Sequence, residues 1–312
     1  NYLKEDSLTV VVKTSSFIEF LSNLLSKNIF KKHEREAIYI LSLSENEKLD
    51  YSKIRDVKSL EKYKNLISAQ ELSSLLSKGG LTAHFQPILD VKTNTIYGYE
   101  TLARGVNEDG TLVYPDKLFT WAKDGDMLFY LDRACRESSL KTAAIKNIRA
   151  KVFINFIPTA IYDPNHCLQS TVKWAKSLEF DPKNVIFEVV ESENIEDIEH
   201  LKNILNFYKS KGFMVALDDV GSGYSSLNMI VQLLPDIVKV DREIIKEIDK
   251  NRANQSVFAA IVNIAKENNI TVLAEGIETK EEYLYLKDNG ASLVQGYYFA
   301  KPSSEPIRKI NF

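Results

Sequence analysis

From Leu81 onward, short apolar runs alternate with amphipathic stretches. The runs predict strands over residues 81–91, 95–102, 152–156, 185–190, 214–217, 237–240, 271–274 and 293–299. The stretches between them carry helical spacing over 115–122, 127–145, 169–177, 195–210, 225–233, 252–268 and 280–288. This alternation over about 230 residues predicts an α/β (β/α)8 TIM-like barrel, a fold of typically about 250 residues. One junction departs from the pattern. Only Lys92, Thr93 and Asn94 separate the first two runs, too few for a crossover helix, so the first strand is expected to lie antiparallel to the second. The alternative, an open doubly wound sheet, lacks here the glycine-rich phosphate loop that marks it.

Residues 1–67 read as a small, mostly helical α/β accessory region. A short strand is expected at 7–12, a helix after Ser15 and Ser16 carrying Phe17, Leu21, Leu24 and Leu25, and a further apolar run at 38–43. Ser68 and Glu71 have the spacing of a capping box. Leu72, Leu75 and Leu76 then form an apolar stripe that Gly79 and Gly80 end, so the barrel with its leading helix is expected to occupy 68–312.

The 312 residues are 44% hydrophobic, enough for one large core and a small appendage. A net charge of -3 with mixed signs argues against binding a DNA or RNA polymer, so an anionic substrate would need locally placed cations. Cys135 and Cys167 stand far apart in no metal-binding spacing, which fits packing residues in a reducing compartment. No run reaches the ~20 apolar residues of a membrane span. The chain opens on Asn1, so an upstream sensory or membrane segment is allowed for. The expected location is the cytoplasm, or the cytoplasmic part of a longer membrane protein.

Candidate chemistry collects where strands stop. Met214–Leu217 ends in the adjacent acids Asp218 and Asp219 before a Gly- and Ser-rich turn. Strand geometry sends neighbouring side chains apart, and the closeness of like charges favours a divalent cation. Glu100, Asn155, Glu188, Lys239, Glu275 and Gln295 fall in or just after the other runs. Singly, each acid fits an interior salt bridge, Asn155 a satisfied core amide, and Lys239 an ion-pair partner or amine nucleophile. Their recurrence on successive strand ends instead predicts one site on the carboxyl-end face of the barrel. Oxygen ligands of this kind suit Mg²⁺ or Mn²⁺ rather than Zn²⁺, and His33, His84, His166 and His200 occupy none of these rim positions. Two such cations, about 3.5 to 4 Å apart, would clamp a phosphoryl group.

With these residues in view, the chain resembles the EAL family of cyclic-di-GMP phosphodiesterases from about Leu81 to Pro302. The name-giving Glu-Ala-Leu stands as Glu100-Thr101-Leu102, followed by Ala103-Arg104. Further similar blocks are Gln86-Pro87-Ile88, Asn155, Glu188-Val189-Val190-Glu191-Ser192, Asp218 to Leu227, Val238-Lys239-Val240-Asp241, Ala274 to Thr279, and Gln295-Gly296-Tyr297. The resemblance implies a barrel with an antiparallel first strand that hydrolyses cyclic-di-GMP to linear pGpG with two divalent cations, Mg²⁺ or Mn²⁺, lowering a bacterial second messenger. It implies Glu100, Asn155, Glu188 and Asp218 on one metal, with Asp218 and Asp219 helping to hold the second. Glu275 is implied as general base or aid to the second metal, and Lys239 as the group holding the attacking water. Gln86, Arg104 and Gln295 are implied in substrate binding, and Glu191 as the anchor of the Asp219–Leu227 loop, which couples to dimer contacts. A homodimer is implied as well.

Departures from the family pattern are Thr101 for Ala, Gly105 where Trp often follows the Arg, Val220 for Phe and Ser222 for Thr. They bear on rate, base stacking and loop packing more than on metal binding. A barrel that binds cyclic-di-GMP without hydrolysing it is the main rival, and a Schiff-base lyase working through Lys239 is the second.

Overall fold

The computed structural model describes residues 17–43, 51–189, 197–221 and 226–310. The chain divides into two compact units, one from Asn1–Ser74 and Leu118–Met127, the other from Leu75–Lys117 and Leu128–Phe312.

In the first unit the helix Phe17–Ser26 buries Leu21 completely against Leu60 and Tyr63, as its apolar spacing predicts. Phe17 meets Tyr63 edge-on at 5.4 Å. The 38–43 run contributes the two-residue strand Tyr39–Ile40, paired antiparallel with Lys58–Ser59. The strand expected at 7–12 lies outside the described residues. Ser68 does not cap a helix. The helix starts at Leu60 and runs to Ser77, and Ser59 Oγ accepts from the Lys62 N–H at 3.2 Å instead. No Glu or Gln stands three residues after Ser59, so the usual sequence signature of a start is missing there. Ser68 sits inside the helix and bonds the Asp124 carboxylate, which also takes Lys64 at 2.6 Å.

The second unit is a closed barrel. Its strands are β1 (Leu81–Asp90), β2 (Thr95–Val106), β3 (Lys151–Phe156), β4 (Val185–Val189), β5 (Met214–Val220), β6 (Ile237–Val240), β7 (Thr271–Ala274) and β8 (Leu293–Val294). β2 through β7 each pair in parallel with the next strand, while β1 pairs antiparallel with both β2 and β8 and closes the ring. The short Lys92–Asn94 link therefore does what its length requires. β2 runs four residues past the predicted end because Leu81–Ala83 pairs with it on one edge and a short strand, Leu112–Val113, on the other. β8 is shorter than predicted. After Val294 the chain turns onto the β7 side, where the Ile277 N–H bonds the Gln295 carbonyl and the Ile277 carbonyl accepts from the Tyr298 N–H. A side chain at Gly296 would stand 2.1 Å from that Ile277 carbonyl, so the apolar residues after it belong to a turn.

Alternation then sorts each strand into two faces. Outward residues such as Phe85, Ile154, Phe187, Leu217 and Val238 form the main core. Inward residues Ile88, Phe153, Ile186, Ala216, Ile237, Leu273 and Leu293 pack as a separate apolar layer that fills the barrel. This inner layer is the floor on which the site stands.

Candidate metal and catalytic site

Two residues beyond the floor, each parallel strand turns a polar side chain to the same inner face. Phe153 is followed by Asn155, Ile186 by Glu188, Ala216 by Asp218, Ile237 by Lys239, Leu273 by Glu275 and Leu293 by Gln295. β1 runs the other way, so its matching residue precedes the floor residue: Gln86 lies two before Ile88 and pairs with Glu100 of β2. The polar layer is thus a consequence of strand register, and it brings together groups almost the length of the barrel apart in sequence.

Lys239, 1% exposed, sits at its centre. Nζ lies 2.8 Å from Glu275 Oε1, 2.9 Å from Glu188 Oε1, 3.0 Å from Asp218 Oδ2 and 3.9 Å from Glu100 Oε1. These are ion-pair distances without hydrogen-bond alignment, since Nζ, Glu275 Oε1 and both Glu188 oxygens have no hydrogen-bonding partner among the described residues. Burial opposes the ammonium, but Asp218 and the other carboxylates raise its pKa well above the usual lysine range. A lysine so held keeps its proton, which opposes the amine nucleophile that a Schiff-base lyase needs.

The acids are raised too, but in their case that favours the uncharged form. Burial raises Glu188, Asp218 and Glu275, and neighbouring carboxylates add to it against the pull of Lys239. One lysine does not neutralise this group. One oxygen from each of Glu100, Glu188 and Asp218 lies within 4.8 Å of the others, a ligand set for a single hard cation. Asn155 Oδ1 is buried without a donor among the described residues, while its Nδ2 bonds Glu100 Oε1 at 3.2 Å. The orphaned oxygens of Asn155 and Glu188 and the all-oxygen donor set fit a divalent cation in this cluster.

Asp219 reaches its place through a bulge. The β5–β6 register jumps between Leu217 and Val220, so Asp218 and Asp219 together face the single Lys239 step of β6. Asp219 takes a left-handed φ of 54°, which lets Asp218 keep the inner face while its neighbour reaches sideways. Burial, then Asp218, raises Asp219 to about 6.

Two further contacts set the orientation of the ligands. Gln295, 3% exposed, donates from Nε2 to Glu100 Oε2 at 2.7 Å, and Thr101 bonds the Phe153 carbonyl outside the barrel. The buried Asp132 holds Arg136 through Oδ2 and accepts the Ile157 N–H at 2.9 Å through Oδ1, tying down the chain just past Asn155. Arg136 also donates to Thr171 Oγ1. Sequence reading gave no role to Asp132 and Arg136, whose four-residue spacing on a helix was their available signal.

Of the substrate candidates, Gln86 is buried and donates to the Ala300 carbonyl at 3.2 Å. Arg104 stands on the inner face four residues beyond Glu100. His84 is a rim residue after all: it lies two before Gln86 on that face, opposite Leu102, and burial followed by Arg104 lowers its pKa. It was missed because the rim end of an antiparallel strand is its beginning. Glu191 lies outside the described residues, as do residues 222–225 of the loop it was expected to anchor. Among the described residues no helix is long and apolar enough to cross a membrane.

Fold and site together define an eight-stranded barrel whose mouth carries an acidic cluster fit for a hard cation. The family model of the EAL domain matches residues 69–302, and the chain belongs to that family. A probable cyclic di-GMP phosphodiesterase of Escherichia coli K12, PdeG, is 28% identical over 249 residues, covering 78% of this chain. This chain spans about half, 49%, of that relative's length. A standalone versatile EAL protein from Vibrio cholerae O395, solved in its c-di-GMP bound form, is 38% identical with a TM-score of 0.67, covering 74% of this chain and 95% of that one. BlrP1 of Klebsiella pneumoniae, solved as a manganese and cy-diGMP complex at pH 9.0, is 26% identical with a TM-score of 0.65, covering 72% and 56%.

Proposed function

We propose that this chain hydrolyses cyclic-di-GMP to linear pGpG with two divalent cations, Mg²⁺ or Mn²⁺. The observation that carries the reading is the Glu100, Glu188 and Asp218 cluster around Lys239. The c-di-GMP and manganese complexes of the Vibrio and Klebsiella proteins support the choice of substrate and metal. Glu100, Asn155, Glu188 and Asp218 would hold one cation, and Asp218 with Asp219 would help hold the second. Cations bound there supply Lewis-acid stabilisation of phosphoryl charge and a nucleophile at neutral pH.

The remaining steps belong to the side chains. Lys239 orients the attacking water with its compact ammonium and offsets negative charge developing at phosphorus. Glu275, 2.8 Å from Lys239, accepts or routes the proton of that water. Gln295 fixes the Glu100 carboxylate from within the layer, Gln86 lies opposite Glu100, and Arg104 stands four residues further along β2; both are proposed to contact the dinucleotide. Glu191 is proposed as the anchor of the loop after β5, and a homodimer as the working assembly.

Incubating the chain with cyclic-di-GMP and Mg²⁺, with and without chelator, and resolving products by chromatography tests this. Metal-dependent appearance of pGpG is expected. Tight dinucleotide binding with neither Mg²⁺ nor Mn²⁺ giving turnover would point to a receptor instead.

Metal binding should follow the ionisation of Asp219. With its folded pKa raised to about 6, the protonated form favours the fold. That contribution is complete below the unfolded carboxylate value and fades as pH rises through 6. Cations need the ionised form, so the rise in melting temperature on adding Mg²⁺ should be larger at about pH 7.5 than at about pH 5. Melting curves at both pH values check it, and Asp219→Asn should flatten the difference.

A further inference from the structure

Past Glu100, β2 keeps the same inner face through Leu102 to Arg104, roughly 13 Å further along the strand. On its other edge the strand Leu112–Val113 pairs antiparallel, with Val113 opposite Gly105. Continuing that register by one residue sets Tyr114 beside Arg104 on the same face. The guanidinium carbon indeed lies over the Tyr114 ring, 5.2 Å from its centroid.

The two residues differ in what they lack. Arg104 is 8% exposed, donates from Nη1 to the Ala103 carbonyl at 2.8 Å, and leaves Nε buried with no hydrogen-bonding partner among the described residues. A buried N–H without an acceptor is costly, so this row asks for an acceptor-bearing ligand. Tyr114 is 58% exposed, an aromatic ring held in place by the cation yet open to solvent. Gly105 faces the other side of the strand and carries no ring, which leaves Tyr114 as the aromatic neighbour of Arg104 on this edge.

We infer that Tyr114 is the stacking face for one purine of the dinucleotide whose phosphate lies at the acids, with Arg104 Nε meeting an acceptor on the same ligand. The inference rests on the cyclic-di-GMP reading and adds to it a residue that sets affinity. Purine rings stack on aromatic side chains whatever their edge groups, and such a contact acts on binding rather than on the chemical step. Tyr114 is then a substrate-binding residue remote from the metal cluster.

Steady-state kinetics on cyclic-di-GMP with Mg²⁺ for the full chain and for Tyr114→Ala, Tyr114→Phe and Tyr114→Trp test it. Tyr114→Ala should raise KM about 5- to 100-fold, the range for loss of one base stack. Its kcat, and its Mg²⁺ affinity measured by calorimetry, should stay within about twofold, and Phe and Trp should retain most of the affinity. An unchanged KM in Tyr114→Ala overturns the inference while an active wild-type chain leaves the hydrolysis reading standing. So does a loss of kcat and Mg²⁺ affinity together, which marks a structural role. A wild-type chain that neither binds nor hydrolyses the dinucleotide overturns both.

Discussion

Asp218→Asn is expected to lower Mg²⁺-dependent hydrolysis of cyclic-di-GMP by about 1,000-fold or more, without lowering the stability of the chain. The loss follows from its place: Asp218 supplies an oxygen to the Glu100 and Glu188 cluster and is the acid proposed to touch both cations. Removing several kcal/mol of charge stabilisation corresponds to about three powers of ten in rate. Stability should move the other way. Burial and Glu100 already raise the Asp218 pKa against Lys239, so its charge is unwelcome in the fold. The amide keeps the shape and the acceptor that takes the Asp219 N–H at 2.9 Å, while Glu188 and Glu275 still face Lys239. A gain of up to about 1 kcal/mol in metal-free buffer is expected, the pattern of a site selected for activity over stability. Denaturation and turnover measured on one preparation check both halves.

Lys239→Met should do the reverse to stability. It removes the cation that Glu100, Glu188, Asp218 and Glu275 surround and leaves those acids buried together. Breaking a buried pair by removing one partner costs about 3–5 kcal/mol. The loss should be smaller at low pH. Carboxylates whose folded pKa lies above the unfolded value stabilise the fold while protonated, and that contribution disappears as pH rises and they ionise. Added Mg²⁺ should restore part of the stability without restoring turnover, because a bound cation would offset the acids but lack the ammonium proposed to hold the attacking water. Urea unfolding across pH, with and without Mg²⁺, gives the comparison. Equal stability of variant and wild type at neutral pH would contradict the central place given to Lys239.

Much of this architecture was legible because the barrel repeats one rule. An apolar inward residue followed two positions later by a polar one, as in Ile186 and Glu188 or Leu273 and Glu275, is visible in the letters alone. So was the antiparallel β1, because three linking residues exclude a crossover. What escaped depended on contacts between distant segments. Ile277 ends β8 early by capturing the Gln295 carbonyl, and nothing local to 293–299 signals it. The helix at Leu60 begins at a serine without the usual acidic partner, so Ser68 looked the better start. His84 was hidden by strand direction, and the bulge at Asp218 and Asp219 by the absence of a glycine to mark it. That Gln295 and Asn155 both bond Glu100 is likewise a fact of closure, since only a ring brings β8 and β3 to the same carboxylate.

Anomalous diffraction from crystals of the chain grown with Mn²⁺ tests the central claim most directly. The account predicts one peak bonded to oxygens of Glu100, Asn155, Glu188 and Asp218, and a second touching Asp218 and Asp219. Manganese absent from this cluster in an enzyme that still turns over cyclic-di-GMP would contradict it.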